Sequence, residues 1–227
     1  MIVLDWLLDS DPSVRWQALR DLAGARAEVV TAERARVITD GWGARLLTLH
    51  GKDGQWAGGA YFPSEQLDDG GWNCWAVYGS VRSSFATTIN VLEGLLAHER
   101  ATGGSAETIA ARRRGEEYLL ERKLVRRRST GEVVNPAWLQ FSFPTRWHYD
   151  VLRALDYFRS VGDAPDSRVD EAIEVLRSRQ QPDGTWLLEN THPGKVHFAL
   201  EDGDSRPSRW NTLRALRVLR WYEHSAG

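Results

Sequence analysis

Three polar residues recur at matching places in the chain. Asn90, Asp150 and Asn211 open the strings NVLEGL, DVLRAL and NTLRAL, which follow one another at intervals of 60 and 61 residues. Four residues after each stands a small one, Gly94, Ala154 or Ala215, and three after each a charged one, Glu93, Arg153 or Arg214. Residues i and i+4 share a helix face, so each string sets a polar group above a space, with a charged tier beside it. A lumen lined this way suits a polar or anionic ligand better than a bare hydrocarbon. Buried charge needs a partner. In the alternative reading Glu93 pairs with Arg153 or Arg214 between helices, and the small residues only permit close packing.

Other reactive groups cluster near these strings. His148 can act as general acid or base because imidazole titrates near neutrality. It lies two residues from Asp150, so on a helix the two point apart, and its partner must come from elsewhere, with Cys74 or Asp69 the candidates. Cys74, between Trp72 and Trp75, reads either as a nucleophile or as a buried thiol. His148, Asp150 and Cys74 are thus the catalytic candidates. Asn90, Asn211, Tyr149, Trp72 and Trp210 are candidate ligand contacts, and Arg82, Arg146 and Arg209 can clamp a diphosphate or carboxylate bidentately. His192 and His197, with Glu189 and Glu201 nearby, lack a recognised metal-ligand spacing. No metal and no particular cofactor is implied. Neither a Gly-rich phosphate loop nor a nucleophile elbow occurs.

Helices must position these groups. Phe85, Ile89, Leu92 and Leu96 form one stripe at helical spacing, with Val91 and Leu95 beside it, which predicts a buried helix. Residues 145–160 and 208–223 read the same way, giving three inner helices. The charge-rich segments 31–49, 107–124 and 166–180 read as outer helices. The arginine runs 112–114 and 126–128 read as solvated faces rather than phosphate sites. Asp-Gly-x-Trp turns at 53–56, 69–72 and 183–186 connect the layers. Glycine supplies positive φ there, and the tryptophan can fold back over the helix just left. Residues 1–30 are expected to form an N-terminal helical cap, with Ser10 or Asp11 at an N-cap and Pro12 at the first helical position, and 31–227 the helix-pair repeat. The aperiodic segment 187–207 reads as a long functional loop.

Composition narrows the classes. With 227 residues one unit can bury a core, and 29 basic against 31 acidic residues give no overall attraction to nucleic acid or an anionic membrane. One cysteine excludes an internal disulfide framework, and the acidic N-terminus is unlike a signal peptide, so the cytoplasm is expected. No apolar run approaches the ~20 residues that span a bilayer.

The residues resemble a known superfamily. Gln181-Pro182-Asp183-Gly184-Thr185-Trp186 is similar to the glutamine-tryptophan repeat of squalene and oxidosqualene cyclases, whose αα-toroid alternates inner and outer helices, as protein prenyltransferase β subunits do. DGGWNC (69–74), SVRSSFATT (80–88), FSFPTRWHYDVLR (141–153) and PSRWNTLRALRVL (207–219) resemble actinobacterial squalene cyclase-like proteins, over residues 65–222. The resemblance implies an all-α, αα-toroid-like array. It does not carry the reaction over. The Asp-x-Asp-Asp acid motif is missing, and Cys74 follows Trp72 and Asn73 where the prenyltransferase zinc site needs Asp-x-Cys. Trp56 and Trp72 are also too close for a helix pair to separate them, so a shortened or open toroid is expected, one that a second copy can complete. The functional expectation is a squalene cyclase-like protein binding an isoprenoid or other small molecule in a central cleft, with a non-canonical cyclase or transferase activity open to it. The alternative is a non-catalytic binding or assembly module that uses the concave face of a shortened solenoid.

Overall fold

The computed structural model describes residues 2–48 and 65–224, and among them the chain is helical, without a strand. The helices are α1 (Val3–Leu8), α2 (Pro12–Asp21), α3 (Ala27–Ala35), α4 (Gly41–Thr48), α5 (Phe85–Thr102), α6 (Ala106–Leu120), α7 (Val151–Val161), α8 (Asp170–Ser178) and α9 (Arg209–His224). No helix among the described residues is long and apolar enough to cross a membrane. The first Asp-Gly-x-Trp turn, at 53–56, lies outside the described residues.

Helices α5, α7 and α9 lie side by side, with α6 packed on α5 and α8 on α7. Their apolar stripes make the core. Phe85, Ile89, Leu92 and Leu96 of α5 are buried, as are Leu152 and Leu155 of α7 and Leu213 and Val218 of α9. Each such side chain contributes roughly 1.5–3 kcal/mol by leaving water. α5 and α6 approach closely at Gly115, where a Cβ would meet the Trp72 ring at 2.5 Å and Leu92 at 2.9 Å.

Two connecting turns share one construction. In the first, Leu67 N–H donates to Gly71 O and Gly70 N–H to Leu67 O. In the second, Gln181 N–H donates to Thr185 O and Gly184 N–H to Gln181 O. Gly70 and Gly184 take φ of 93° and 83°, which only glycine adopts without strain. Trp186 then folds back over α8, its Nε1–H donating to Leu176 O at 2.8 Å. Gln181 Nε2 donates to the Arg179 carbonyl at 3.0 Å, satisfying an acceptor just past that helix.

Two expectations need correction. The second inner helix starts at Val151, not near 145: residues 145–148 form a turn, Arg146 has φ of 50°, and Trp147 is 65% exposed. The cause is Asp150, whose Oδ1 captures the Arg153 N–H at 2.7 Å and so caps the helix there. The segment 31–49 is also not one outer helix: α3 ends at Ala35 and α4 starts at Gly41, whose φ of 66° turns the chain between them. α2 is capped by Asp11 with Pro12 at its first position, and it packs against both α3 and α9. Through its contact with α9, α2 continues the row α5, α7, α9, α2.

Candidate functional site

The inner helices begin at three equivalent caps. Ser84 Oγ accepts from Thr87 N–H at 3.3 Å, Asp150 Oδ1 from Arg153 N–H at 2.7 Å and Ser208 Oγ from Asn211 N–H at 2.9 Å. The preceding tryptophans confirm the match between first and third. Trp72 N–H donates to Thr88 Oγ1 at 3.0 Å, and Trp186 N–H to Thr212 Oγ1 at 2.9 Å. This overturns the string equivalence of Asn90, Asp150 and Asn211. Counted from the caps, Asp150 is the cap itself, Asn211 lies three residues in and Asn90 six.

The corrected register shows a polar stripe repeating every third residue. Thr87, Asn90 and Glu93 run along α5, Arg153, Asp156 and Arg159 along α7, and Asn211, Arg214 and Arg217 along α9. Residues i and i+3 are neighbours on a helix surface, so each inner helix has a polar face as well as its apolar stripe.

Near the helix starts these faces close on one another. Arg153 is the hub: Nε and Nη2 donate to Glu93 at 2.9 and 2.6 Å, Nη2 to Asn90 Oδ1 at 3.0 Å, and Nη1 to His148 O at 2.6 Å. Asp150 Oδ2 accepts from Ser142 Oγ at 2.6 Å, and Asn211 Nδ2 donates to Leu187 O at 3.1 Å and Phe141 O at 3.3 Å. Asp150 and Asn211 are buried and Asn90 partly so, and their polar atoms are spent on protein partners. The pair Glu93–Arg153 is the interhelix bridge of the alternative reading.

Deeper along the helices the faces part around a cleft of about 320 Å³. Arg100, Arg153, Arg214 and Arg217 line it, against Glu93 and Asp156, so guanidiniums outnumber carboxylates four to two. Asp156 is shared between Arg159 at 2.8 Å and Arg214 at 3.7 Å. Arg217 Nη1 donates to Gln17 of α2 at 2.9 Å; its Nε lies 2.9 Å from Asp21 but without the alignment of a hydrogen bond. Burial holds the Arg217 guanidinium below its usual pKa range, and the nearby Asp156 and Asp21 only partly offset this. Phe143 stacks on Trp210 at 4.6 Å to form an aromatic wall, and the buried Trp210 Nε1–H has no acceptor among the described residues.

Of the candidates read from the sequence, Trp210 lines this cleft. Tyr149 and Trp72 lie in the core, the Tyr149 hydroxyl donating to Leu124 O at 2.6 Å. Arg82 is exposed at a different groove, Arg146 donates to Pro193 O at 2.7 Å, and Arg209 lies over the Trp6 ring. The three arginines do not converge. Cys74 is half-buried, with no hydrogen bond, ion pair or ring contact to His148 or Asp150 among the described residues, and Asp69 is engaged by Ser83. Arg100, Asp156 and Arg217 were missed. For Asp156 and Arg217 the three-residue polar series was the available signal; Arg100 had none beyond lying two turns below Glu93.

His148 has ring partners instead, sandwiched between Trp147 at 3.8 Å and His192 at 3.7 Å. Both histidines are held below their ordinary pKa. For His148 the causes are burial, then Arg146 and Arg153; for His192 they are burial, then His148 and Arg146, with Asp150 opposing. The unfolded chain therefore binds more protons below about pH 6.5, and stability present above that pH is lost as pH falls through the depressed native values. Melting temperature is expected to drop between about pH 7 and 5. In His192→Phe, which keeps the stack, the drop should shrink; an identical drop in that variant would locate the effect elsewhere.

Among the described residues no three His, Cys, Asp or Glu side chains are placed to hold a metal ion. No family profile, curated protein or solved structure matches the chain.

Proposed function

We propose that the chain is an αα-toroid-like protein, of the squalene cyclase-like kind its sequence resembles, that binds a small molecule bearing an anionic head in the cleft between α5, α7, α9 and α2. The convergence of Arg100, Arg153, Arg214 and Arg217 on one cleft carries this reading. Guanidiniums recognise phosphate and carboxylate oxygens through paired N–H donors, and partial burial strengthens that attraction. The Trp210–Phe143 wall suits a short apolar group attached to such a head. Arg153 is already neutralised by Glu93, but a bare isoprenoid would leave Arg100, Arg214 and Arg217 facing hydrocarbon, so an isoprenoid ligand here is one that carries a phosphate or carboxylate. Proton-initiated cyclisation gains no support, since Glu93 is bound bidentately by Arg153 and Asp156 lies between two arginines.

Thermal shift with pyrophosphate, geranyl diphosphate and geraniol tests this. The two anions are expected to raise the melting temperature and geraniol to leave it unchanged. Arg100→Ala, at an exposed position, should weaken the anion response about tenfold in concentration, the loss of roughly one charged hydrogen-bond pair. Equal responses to geraniol and its diphosphate, or an unaltered Arg100→Ala, would sink the proposal.

A second reading is a non-catalytic assembly module, including a homo-oligomer that completes the ring. The plug of hydrogen bonds at Asn90, Arg153, Asp150 and Asn211 favours it, because that level offers no room for a ligand. Under this reading no anion shifts the melting temperature.

A further inference from the structure

The segment between Asn73 and Arg82 contains no charged residue, and its apolar side chains face out. Trp75, Val77, Tyr78 and Val81 are 65, 63, 79 and 80% exposed. They ride on a tight turn. Ala76–Tyr78 is a single 3₁₀ turn, Gly79 takes φ of 90°, Ser80 N–H donates back to Trp75 O at 3.2 Å, and the Trp75 and Tyr78 rings sit 5.5 Å apart. The result is a convex apolar knuckle whose shape is fixed by its own backbone.

A basic groove of about 590 Å³ opens beside the knuckle, with Val81 and Arg82 on its wall. Across it lie Arg122, Arg126, Arg127 and Arg128 from the stretch after α6. Asp69 is the carboxylate on the groove wall, and it is consumed by the Ser83 N–H and hydroxyl. Arg126 pairs with Glu171, Arg128 and Arg122 with Glu121, and Arg122 also lies over the Tyr118 ring, whereas Arg82 and Arg127 have no carboxylate partner among the described residues. The overall charge of −2 hides this local excess of cations.

We infer that this face is a peripheral docking surface for an anionic lipid bilayer. Tryptophan and tyrosine favour the boundary between headgroup and acyl chain, where an apolar body is buried and a polar edge stays wet. Arginines beside the inserted side chains meet the phosphates, each adding to the attraction of an anionic leaflet. One apolar knuckle or one basic patch alone gives only weak attachment, and here both share one face. A flat, negatively charged bilayer complements a convex apolar knuckle ringed by cations. Two copies meeting symmetrically knuckle to knuckle would instead bring two arginine grooves together.

The test is flotation of the full chain with phosphatidylcholine vesicles, with and without phosphatidylglycerol, alongside tryptophan emission. The protein is expected to float with the anionic vesicles only, with a blue shift that added salt reverses. Trp75→Ser combined with Tyr78→Ser should abolish both signals without altering the melting temperature, since both side chains are exposed. Arg82→Ala and Arg127→Ala should each weaken binding about fivefold. Val29→Ser, an exposed apolar residue on α3, is the control and should change nothing. The inference is overturned if the wild-type chain stays below the gradient with anionic vesicles, or if the double serine variant still floats. It is equally overturned if sedimentation reveals a dimer that the double variant dissolves while no vesicle binding occurs, which would make the face a contact between copies.

Discussion

Trp186→Ala is expected to lower the unfolding free energy by about 4 kcal/mol, within the range for emptying a fully buried aromatic site. The side chain is wholly buried, and its indole N–H satisfies the Leu176 carbonyl at the end of α8. Alanine leaves both a cavity and an orphaned acceptor. Trp186→Phe fills most of the volume and loses only the hydrogen bond, so about 1–2 kcal/mol is expected for it. Urea unfolding of both variants checks the argument. A loss below about 2 kcal/mol in Trp186→Ala would mean that the turn is held by its Asp-Gly backbone and not by the ring. The same tryptophan fixes α9, because its backbone N–H is accepted by Thr212.

Asp150→Ala carries the second large effect. Its carboxylate caps α7 and binds the Ser142 hydroxyl, and it is 1% exposed. Losing the cap costs about 1–2 kcal/mol, and leaving the buried Ser142 donor unpaired about as much again, for a total near 3 kcal/mol. Asparagine is itself a good cap, so Asp150→Asn should lose only about 1 kcal/mol. The pair distinguishes a cap from a reacting group. If Asp150 acts as a cap, Asp150→Asn binds pyrophosphate as the wild type does; a loss of anion response without a loss of stability would return Asp150 to the site.

Part of this site was legible in the sequence. Glu93, Arg153 and Arg214 stood out as a charged tier, and all three line the cleft. Asn90, Asp150 and Asn211 were the more conspicuous residues, yet they serve the plug above it. The error lay in register, and its origin is geometric. Three residues advance a helix by about 300°, only about 60° short of a full turn. A string aligned three residues out of place, as Asn211 is against both Asp150 and Asn90, therefore keeps nearly the same face. The six-residue slip between Asn90 and Asp150 accumulates from two such steps, neither of which apolar spacing or polar recurrence betrays. The caps do, because each is tied to a particular backbone N–H. The arginines at the helix starts misled for a related reason: Arg82, Arg146 and Arg209 precede or open the helices, where the differing entry of each chain segment sends them to different surfaces.

The sequence by itself determined the helical class, the starts of α2, α5 and α9 and the two Asp-Gly-x-Trp turns among the described residues, since these depend on contacts within a few positions of one chain segment. Apolar periodicity, a capping side chain, a proline at a first turn and a glycine at positive φ act locally and are written locally. Only the tertiary structure decided which polar groups meet. The depth at which one helix lies beside another follows from packing and from hydrogen bonds such as Trp186 to Thr212, made between residues far apart in the chain. Those contacts place Arg100, Arg153, Arg214 and Arg217 around one space and leave Asp150 holding the start of a helix.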